Sequence, residues 1–384
     1  MIAHLHRRFR DNPILFARVP RDHWLALHSL AAERGVTPND IMREALASVI
    51  ATVDIASLPS AGSSKTPRPV LSWISSRFRR LSIMRWRRRL WWTMRMRANE
   101  GVCSVEIKKC AGFFGVMYQC LCLFEYCERH RLIPDIRLIG EIYLDSQRGQ
   151  NWLDYYFDVH KPITPEETAR RVRYKEKVFD IHELGLPGVP RISLDDGVRI
   201  VRKYLRLKPH IVTIVEDFWR TLSVDGPVLG VHFRGTDKTS EAPRVSWEHC
   251  LNILENYLRN HQTTQAVFVA SDEQAFIDFV KTSVKNVPVY SHDDHYRSSD
   301  GRPVHTEIEG SGYEKGEDAL VNALLLSKCS TVIRTSSFLS AWASIFNPDL
   351  KVILLNKPYS NRFWYPENEI LKRRDTEYLP ERVR

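Results

Sequence analysis

Residues 227–238 read PVLGVHFRGTDK, and the fold turns on how this stretch is taken. Val228 to Phe233 is an uninterrupted apolar run that stops abruptly at Arg234, Thr236, Asp237 and Lys238. A short apolar run bounded by a polar loop is the pattern of a strand covered on both faces, as in a parallel sheet. In an open α/β sheet, ligands gather beyond the carboxyl ends of the strands. Arginine can pair two phosphate oxygens at once and lysine adds a point charge. The loop therefore suits an anion as readily as it suits simple solvation.

Downstream, the same unit recurs. Helical patterns are expected over 247–260, 274–284, 318–328 and 338–346. They alternate with Val- and Ile-rich runs at 266–270, 287–290, 331–335 and 351–355. Strands alternating with helical segments predict a doubly wound parallel sheet. Polar residues follow four of the runs: Arg234, Thr236, Asp237 and Lys238; Ser271 and Asp272; His292, Asp293 and Asp294; Thr335, Ser336 and Ser337. Such a sheet brings all four groups to one edge. Each has a plainer reading. Ser271 and Asp272 are natural N-caps, with Gln274 completing a capping box from Ser271. Ser336 and Ser337 read as caps for the helix at Phe338, although a helix N-terminus bearing hydroxyls also serves a phosphate. Asp237 is expected to orient Arg234 or Lys238. Glu241 on the same loop is either a general base or a solvated carboxylate.

Upstream, Cys103–Ile107, the glycine-bearing loop 108–115, an apolar helix over 116–130 and a strand over 133–139 form a βαβ unit. The loop lacks GxGxxG, and the chain has neither GxxxxGK[ST] nor D-x-D. A dinucleotide site and a P-loop enzyme are thereby disfavoured. The aromatic stretch 150–159 is read as a packed patch in preference to the wall of a sugar cleft. Of seven cysteines, five fall between Cys103 and Cys127 without a CxxC pair. Buried thiols in a reducing, cytoplasmic setting are expected.

The first hundred residues differ in character. Residues 1–54 are expected to form a small helical unit similar to ribbon-helix-helix modules. Residues 55–100 combine a Ser/Pro linker with an arginine- and tryptophan-rich segment. Arg77–Arg97 holds nine arginines and no acid, so the formal charge of +10 is local: outside it, 47 basic residues face 46 acidic ones. Interleaved tryptophans favour an anionic membrane surface over a solvated linker, with nucleic acid third. On the membrane reading, attachment is peripheral, at the inner face. A transferase with another nucleotide sugar and a nucleic-acid-associated protein are the rival functions.

The motifs GVHFRGTDK, GEDALVNALLLSKC and IRTSSFLSAWASIFNP, within residues 226–358, resemble the α1,6-/protein O-fucosyltransferase superfamily. The resemblance implies a GT-B-like α/β fold, with two Rossmann-like domains facing across a cleft: an acceptor domain over 101–223 and a nucleotide-sugar donor domain over 224–384. It implies GDP-fucose as donor, an oligosaccharide or polysaccharide acceptor, inversion, and no metal or other cofactor. By position, Arg234 would hold the β-phosphate, Lys238 would lie near the phosphates, and Glu241 would act as base. His232 and Asp272 would lie by the nucleoside, Ser337 on the diphosphate with Thr335 and Ser336 beside it, and Asp237 in the same loop. Asn322 stands where relatives carry a guanine-binding aspartate.

Overall fold

The computed structural model describes residues 101–160, 173–178, 181–184, 192–235, 241–292, 296–298, 310–359 and 376–381. The 1–54 unit, the 55–100 segment with Arg77–Arg97, and Asp237, Lys238, Asp293 and Asp294 lie outside the described residues.

Strand β1 (Val102–Ile107) is followed by helix α1 (Phe113–Arg129) and strand β2 (Ile133–Leu138). A short helix α2 (Leu153–Tyr156) and strand β3 (Phe157–Val159) come next, then β4 (Arg173–Val178). Both β2 and β4 pair with β1 in parallel, giving a three-stranded sheet in the order β2-β1-β4. Thirteen residues of α1 are buried, including Cys120, Cys122 and Cys127. A helix apolar around most of its circumference belongs in an interior. All seven cysteines are free thiols, and only Cys110 is exposed. Trp152, Tyr156 and Phe157 are at most 1% exposed, so the aromatic side chains of the stretch form a packed patch.

Helix α3 (Leu194–Tyr204), capped by Ser193, leads through β5 (Leu205–Leu207) to α4 (Pro209–Thr221), which has proline in its first turn. Arg199 on α3 pairs with Glu125 and Glu128 of α1, and Lys203 Nζ lies 2.6 Å from Glu128. These ion pairs pin α3 against α1.

The second sheet begins at β6 (Val228–Phe233) and continues through α5 (Trp247–Asn260), β7 (Ala266–Ser271), α6 (Gln274–Ser283) and β8 (Val289–Tyr290). It then takes in α7 (Gly312–Lys328), β9 (Thr331–Arg334), α8 (Phe338–Phe346), β10 (Lys351–Leu354) and β11 (Thr376–Tyr378). Its order is β11-β10-β9-β6-β7-β8, parallel throughout. The chain winds outward from β6 one way and from β9 the other, so the switch point lies between β6 and β9. That is where such sheets bind ligands.

The six β6 residues, all buried, alternate between two cores. Leu229, Val231 and Phe233 pack with Cys250, Leu254 and Phe276 of α5 and α6. Val228 packs on the other face, in a cluster that includes Leu324 and Leu326 of α7, Trp342 of α8, and Phe114 and Met117 of α1. That core runs without a break from one sheet to the other.

Two helices start earlier than expected, α1 at Phe113 where the spacing predicts 116, and α7. The spacing predicts α7 from Asp318, but it starts at Gly312, because its two glycines serve close approach and do not break the helix. A Cβ at Gly312 would stand 2.7 Å from the Leu144 carbonyl oxygen, and one at Gly316 would overlap the Tyr156 hydroxyl. Among the described residues no helix is long and apolar enough to cross a membrane.

Candidate functional site

The carboxyl ends of β6, β7 and β9 interlock through hydrogen bonds between residues far apart in sequence. The Arg234 backbone N–H donates to Thr335 Oγ1 at 2.9 Å, and the Thr335 N–H donates to the His232 carbonyl at 3.0 Å. The Gly235 N–H donates to Asp272 Oδ1 at 3.2 Å, while Asp272 Oδ2 lies 3.7 Å from Arg234 Nε. Arg234 and Asp272 are largely withdrawn from solvent, with side chains 18% and 14% exposed. Here the predicted capping box gives way. Glu273, not Ser271 or Asp272, precedes α6, and it makes no side-chain cap. Ser271 Oγ accepts the Glu273 N–H at 3.1 Å, and Gln274 is engaged with Asp278 and Arg297. Asp272 is thereby released from the helix and turned onto the Arg234 loop.

A Cβ at Gly235 would overlap the Glu273 carboxylate, which would have to shift. Burial, with the Asp272 charge beside it, raises the Glu273 pKa above the usual carboxylate range.

At β9 the structure adds a residue that the sequence reading passed over. Arg334 is fully buried, pairs in register with His232, and donates from Nη1 to Ser340 Oγ at 3.2 Å. Its only signal in the sequence is a charge inside the apolar run TVIRT. Burial, followed by the Arg334 and Arg234 charges, pushes the His232 imidazole down to about 3. The ring is neutral at physiological pH, and its Nδ1 is buried with no hydrogen-bond partner among the described residues.

This has a measurable consequence. In the unfolded chain a histidine takes a proton below its ordinary pKa of about 6.5, whereas folded His232 does not until about 3. The stabilising contribution is complete above about pH 6.5 and is lost as pH falls, by up to about 1.4 kcal/mol per pH unit. Urea unfolding of His232→Asn should show a shallower loss of stability between about pH 6.5 and 5 than the unaltered chain. Identical slopes would show that His232 titrates alike in both states.

Ser337 is the N-cap of α8, accepting the Leu339 N–H at 3.3 Å, as the spacing predicts. Ser336 is not a cap. Its N–H donates to Asn356 Oδ1 at 2.6 Å, and Asn356 Nδ2 in turn donates to the Pro243 carbonyl at 2.6 Å. The Ser336 Oγ is left buried and without a partner among the described residues. A hydroxyl and an imidazole nitrogen, both buried and unsatisfied, are costly unless a ligand completes them. Two guanidiniums and the N-terminus of α8 supply positive potential around them.

Glu241 lies in the turn before α5, its carbonyl accepting the Tyr359 N–H at 3.0 Å. Asn322, on α7, donates to Asp318. Buried Tyr143, in the short helical turn Glu141–Tyr143 after β2, borders the site. Burial raises its hydroxyl well above the usual phenol range, opposed by a backbone hydrogen bond with Phe113 and by the charge of Arg234. A separate cavity of about 820 Å³ opens along β1 and β2, lined among others by Glu106, Lys108, Asp135, Arg137, Asn151 and Asp154. None of the predicted site residues lines it.

No family model matches the chain. The chain is similar to Nodulation protein Z of Bradyrhizobium diazoefficiens, 26% identical over 175 residues, covering 42% of this chain and 46% of that protein. It thus spans about half the length of the curated relative it matches. Among solved structures, the NodZ alpha-1,6-fucosyltransferase soaked with GDP-fucose aligns at 18% identity and a TM-score of 0.44, covering 66% of this chain and 95% of that one. POFUT1 in complex with GDP aligns at 12% identity and a TM-score of 0.39, covering 64% and 94%.

Proposed function

We propose that this chain, a relative of the α1,6-/protein O-fucosyltransferase superfamily, transfers fucose from GDP-fucose to a hydroxyl of a glycan acceptor. The transfer inverts the anomeric carbon and relies on fixed protein charges in place of a metal ion. The observation that carries this reading is the convergence of Arg234, His232, Thr335, Ser336 and the capped N-terminus of α8 at the switch point of the second sheet.

In the reaction, a bond forms between the acceptor oxygen and the anomeric carbon while the bond from that carbon to the β-phosphate oxygen breaks. The electron pair departs with the diphosphate, and the acceptor proton passes to a base. Negative charge therefore grows on the diphosphate, and stabilising it is the main electrostatic task. Arg234, steered by Asp272 through Nε, carries that charge. The Ser336 hydroxyl and the N-terminal N–H groups of α8 complete the cradle. His232, uncharged, offers Nδ1 as a hydrogen-bonding atom. Lys238 and Asp237 belong to the same loop and are assigned to the phosphate side by their motif positions. Glu241 is assigned the base. The charged cavity along β1 and β2 supports placing the acceptor on the side of the first sheet, with Tyr143 at the boundary.

Calorimetry with the full chain tests the donor. GDP-fucose and GDP should bind, and UDP should bind at least about 10-fold more weakly; binding of UDP in preference to GDP would overturn the assignment. For Glu241→Gln, a fall in kcat of about 100-fold or more is expected, with GDP affinity unchanged. An unchanged kcat would remove Glu241 as the base.

A further inference from the structure

Arg334 occupies a place that neither packing nor solvation favours. It is the last residue of β9, a central strand of the second sheet, with His232 beside it on β6 and Leu354 beside it on β10. It is 0% exposed. Strands inside a parallel sheet are near-continuous apolar runs, and arginine is almost never fully buried. Its guanidinium reaches into the first turn of α8. Nη1 donates to Ser340 Oγ at 3.2 Å, and the single hydroxyl hydrogen of Ser340 is shared between the Thr335 and Ser337 carbonyl oxygens, each 3.4 Å away. Ser340 is fully buried as well.

The sign of the charge makes this placement costly. A helix N-terminus carries about half a positive charge and favours anions. Arg334 sets a full positive charge inside that end of α8, and the guanidinium of Arg234 lies on the same edge of the sheet. Burial of an ion is unfavourable by itself, and neighbours of like sign add to it. Arrangements that break the rules of stability in this way belong to functional sites. An anion held at the N-terminus of α8 reverses the balance. His232 registers the same field: burial lowers its pKa most, and the Arg334 charge comes next, ahead of Arg234. The buried atoms that lack partners among the described residues lie around it, Ser336 Oγ two residues along the chain and His232 Nδ1 one strand across.

We propose that Arg334 is a positioning residue for the donor diphosphate: a permanent cation enclosed in the protein that draws the β-phosphate onto the N-terminus of α8, acting through Ser340 and the field it sets there. This rests on the donor reading above and adds to it a charge that the ligand does not touch. The loop after β6 offers Arg234, with no side chain at Gly235 beside it. Arg334 supplies a second guanidinium from within the core.

Calorimetry of the full chain with GDP and with GMP, which lacks the β-phosphate, tests this, alongside thermal melting of the ligand-free protein. Arg334→Met removes the charge and keeps an apolar chain in its place. It should weaken GDP binding about 10-fold or more, the worth of one interaction with a charged group, and GMP binding by clearly less. Arg334→Lys, which keeps a charge, should recover much of the loss. Since the exchange to methionine removes a buried ion, the ligand-free variant should melt no more than about 5 °C below the unaltered chain. A larger drop, or a variant that does not fold, would show that the arginine serves the fold and would overturn the proposal. Unchanged GDP binding, equal losses for GDP and GMP, or a lysine variant no better than the methionine one each overturn it too. Failure of the unaltered chain to bind either nucleotide overturns the donor reading itself.

Discussion

Arg234→Ala is expected to lower sugar transfer at least 100-fold while leaving the fold intact. The two halves of that statement have separate grounds. A fixed donor aimed at developing negative charge is worth about 3–4 kcal/mol, or about two to three orders of magnitude in kcat. Arg234 is the cation at the switch point whose Nε is steered by a partner carboxylate, Asp272, at 3.7 Å. The fold survives because Asp272 still accepts the Gly235 N–H at 3.2 Å, and because the bond from residue 234 to Thr335 Oγ1 is made by the backbone. Arg234→Lys should fall between the two: it keeps a charge but loses the planar fork that grips two oxygens. GDP release from GDP-fucose measures the rate, and the melting temperature measures the fold. Full activity in folded Arg234→Ala would refute the site.

The parts of this site that were legible in the sequence are local. Val228–Phe233, Trp247–Asn260 and Phe338–Phe346 appear in the structure with the bounds their periodicity predicts. Ser337 caps α8, as its place just before Phe338 implies. What the sequence hides is long-range. Asp272 looks like a cap because an aspartate just before a helix is a natural one, and only the pairing of β6 with β7 turns it toward Gly235. The 312–317 stretch looks like loop because it holds two glycines, and only packing against Leu144 and Tyr156 shows that the helix needs them. Arg334 is invisible as a site residue until β9 is laid beside β6, opposite His232. Single-residue signals survive reading in one dimension, whereas partners chosen across a sheet do not.

That cross-sheet dependence leads to the largest expected effect on stability. Trp342, on α8, is fully buried between Phe114 of α1, with ring centroids 5.0 Å apart, and Phe346, at 5.7 Å. It thereby ties the helix whose first turn builds the phosphate cradle to the helix at the centre of the first half. Its Nε1 has no hydrogen-bond partner among the described residues, so its contribution is packing. Trp342→Ala should cost about 3–5 kcal/mol, the usual range for emptying an aromatic site in a close-packed core. At about 2–4 °C per kcal/mol for a chain of this size, the melting temperature should drop by roughly 10 °C. Trp342→Phe should cost much less, since it keeps most of the ring contact and removes a buried N–H that lacks a partner. The shape of the transition matters as much as its position. Because one apolar cluster runs from α1 through α7 and α8 to β6, residues 101–223 and 224–384 should unfold together, and the variant should shift a single transition. Far-ultraviolet dichroism and tryptophan fluorescence in urea would report both halves. Two separate transitions, only one of them moved by Trp342→Ala, would mean that the halves are independent and that the seam at Trp342 carries none of the coupling assigned to it. Since α8 positions Ser336 and Ser337, the same variant should also bind GDP more weakly where it remains folded, and unchanged GDP affinity would separate the cradle from the seam.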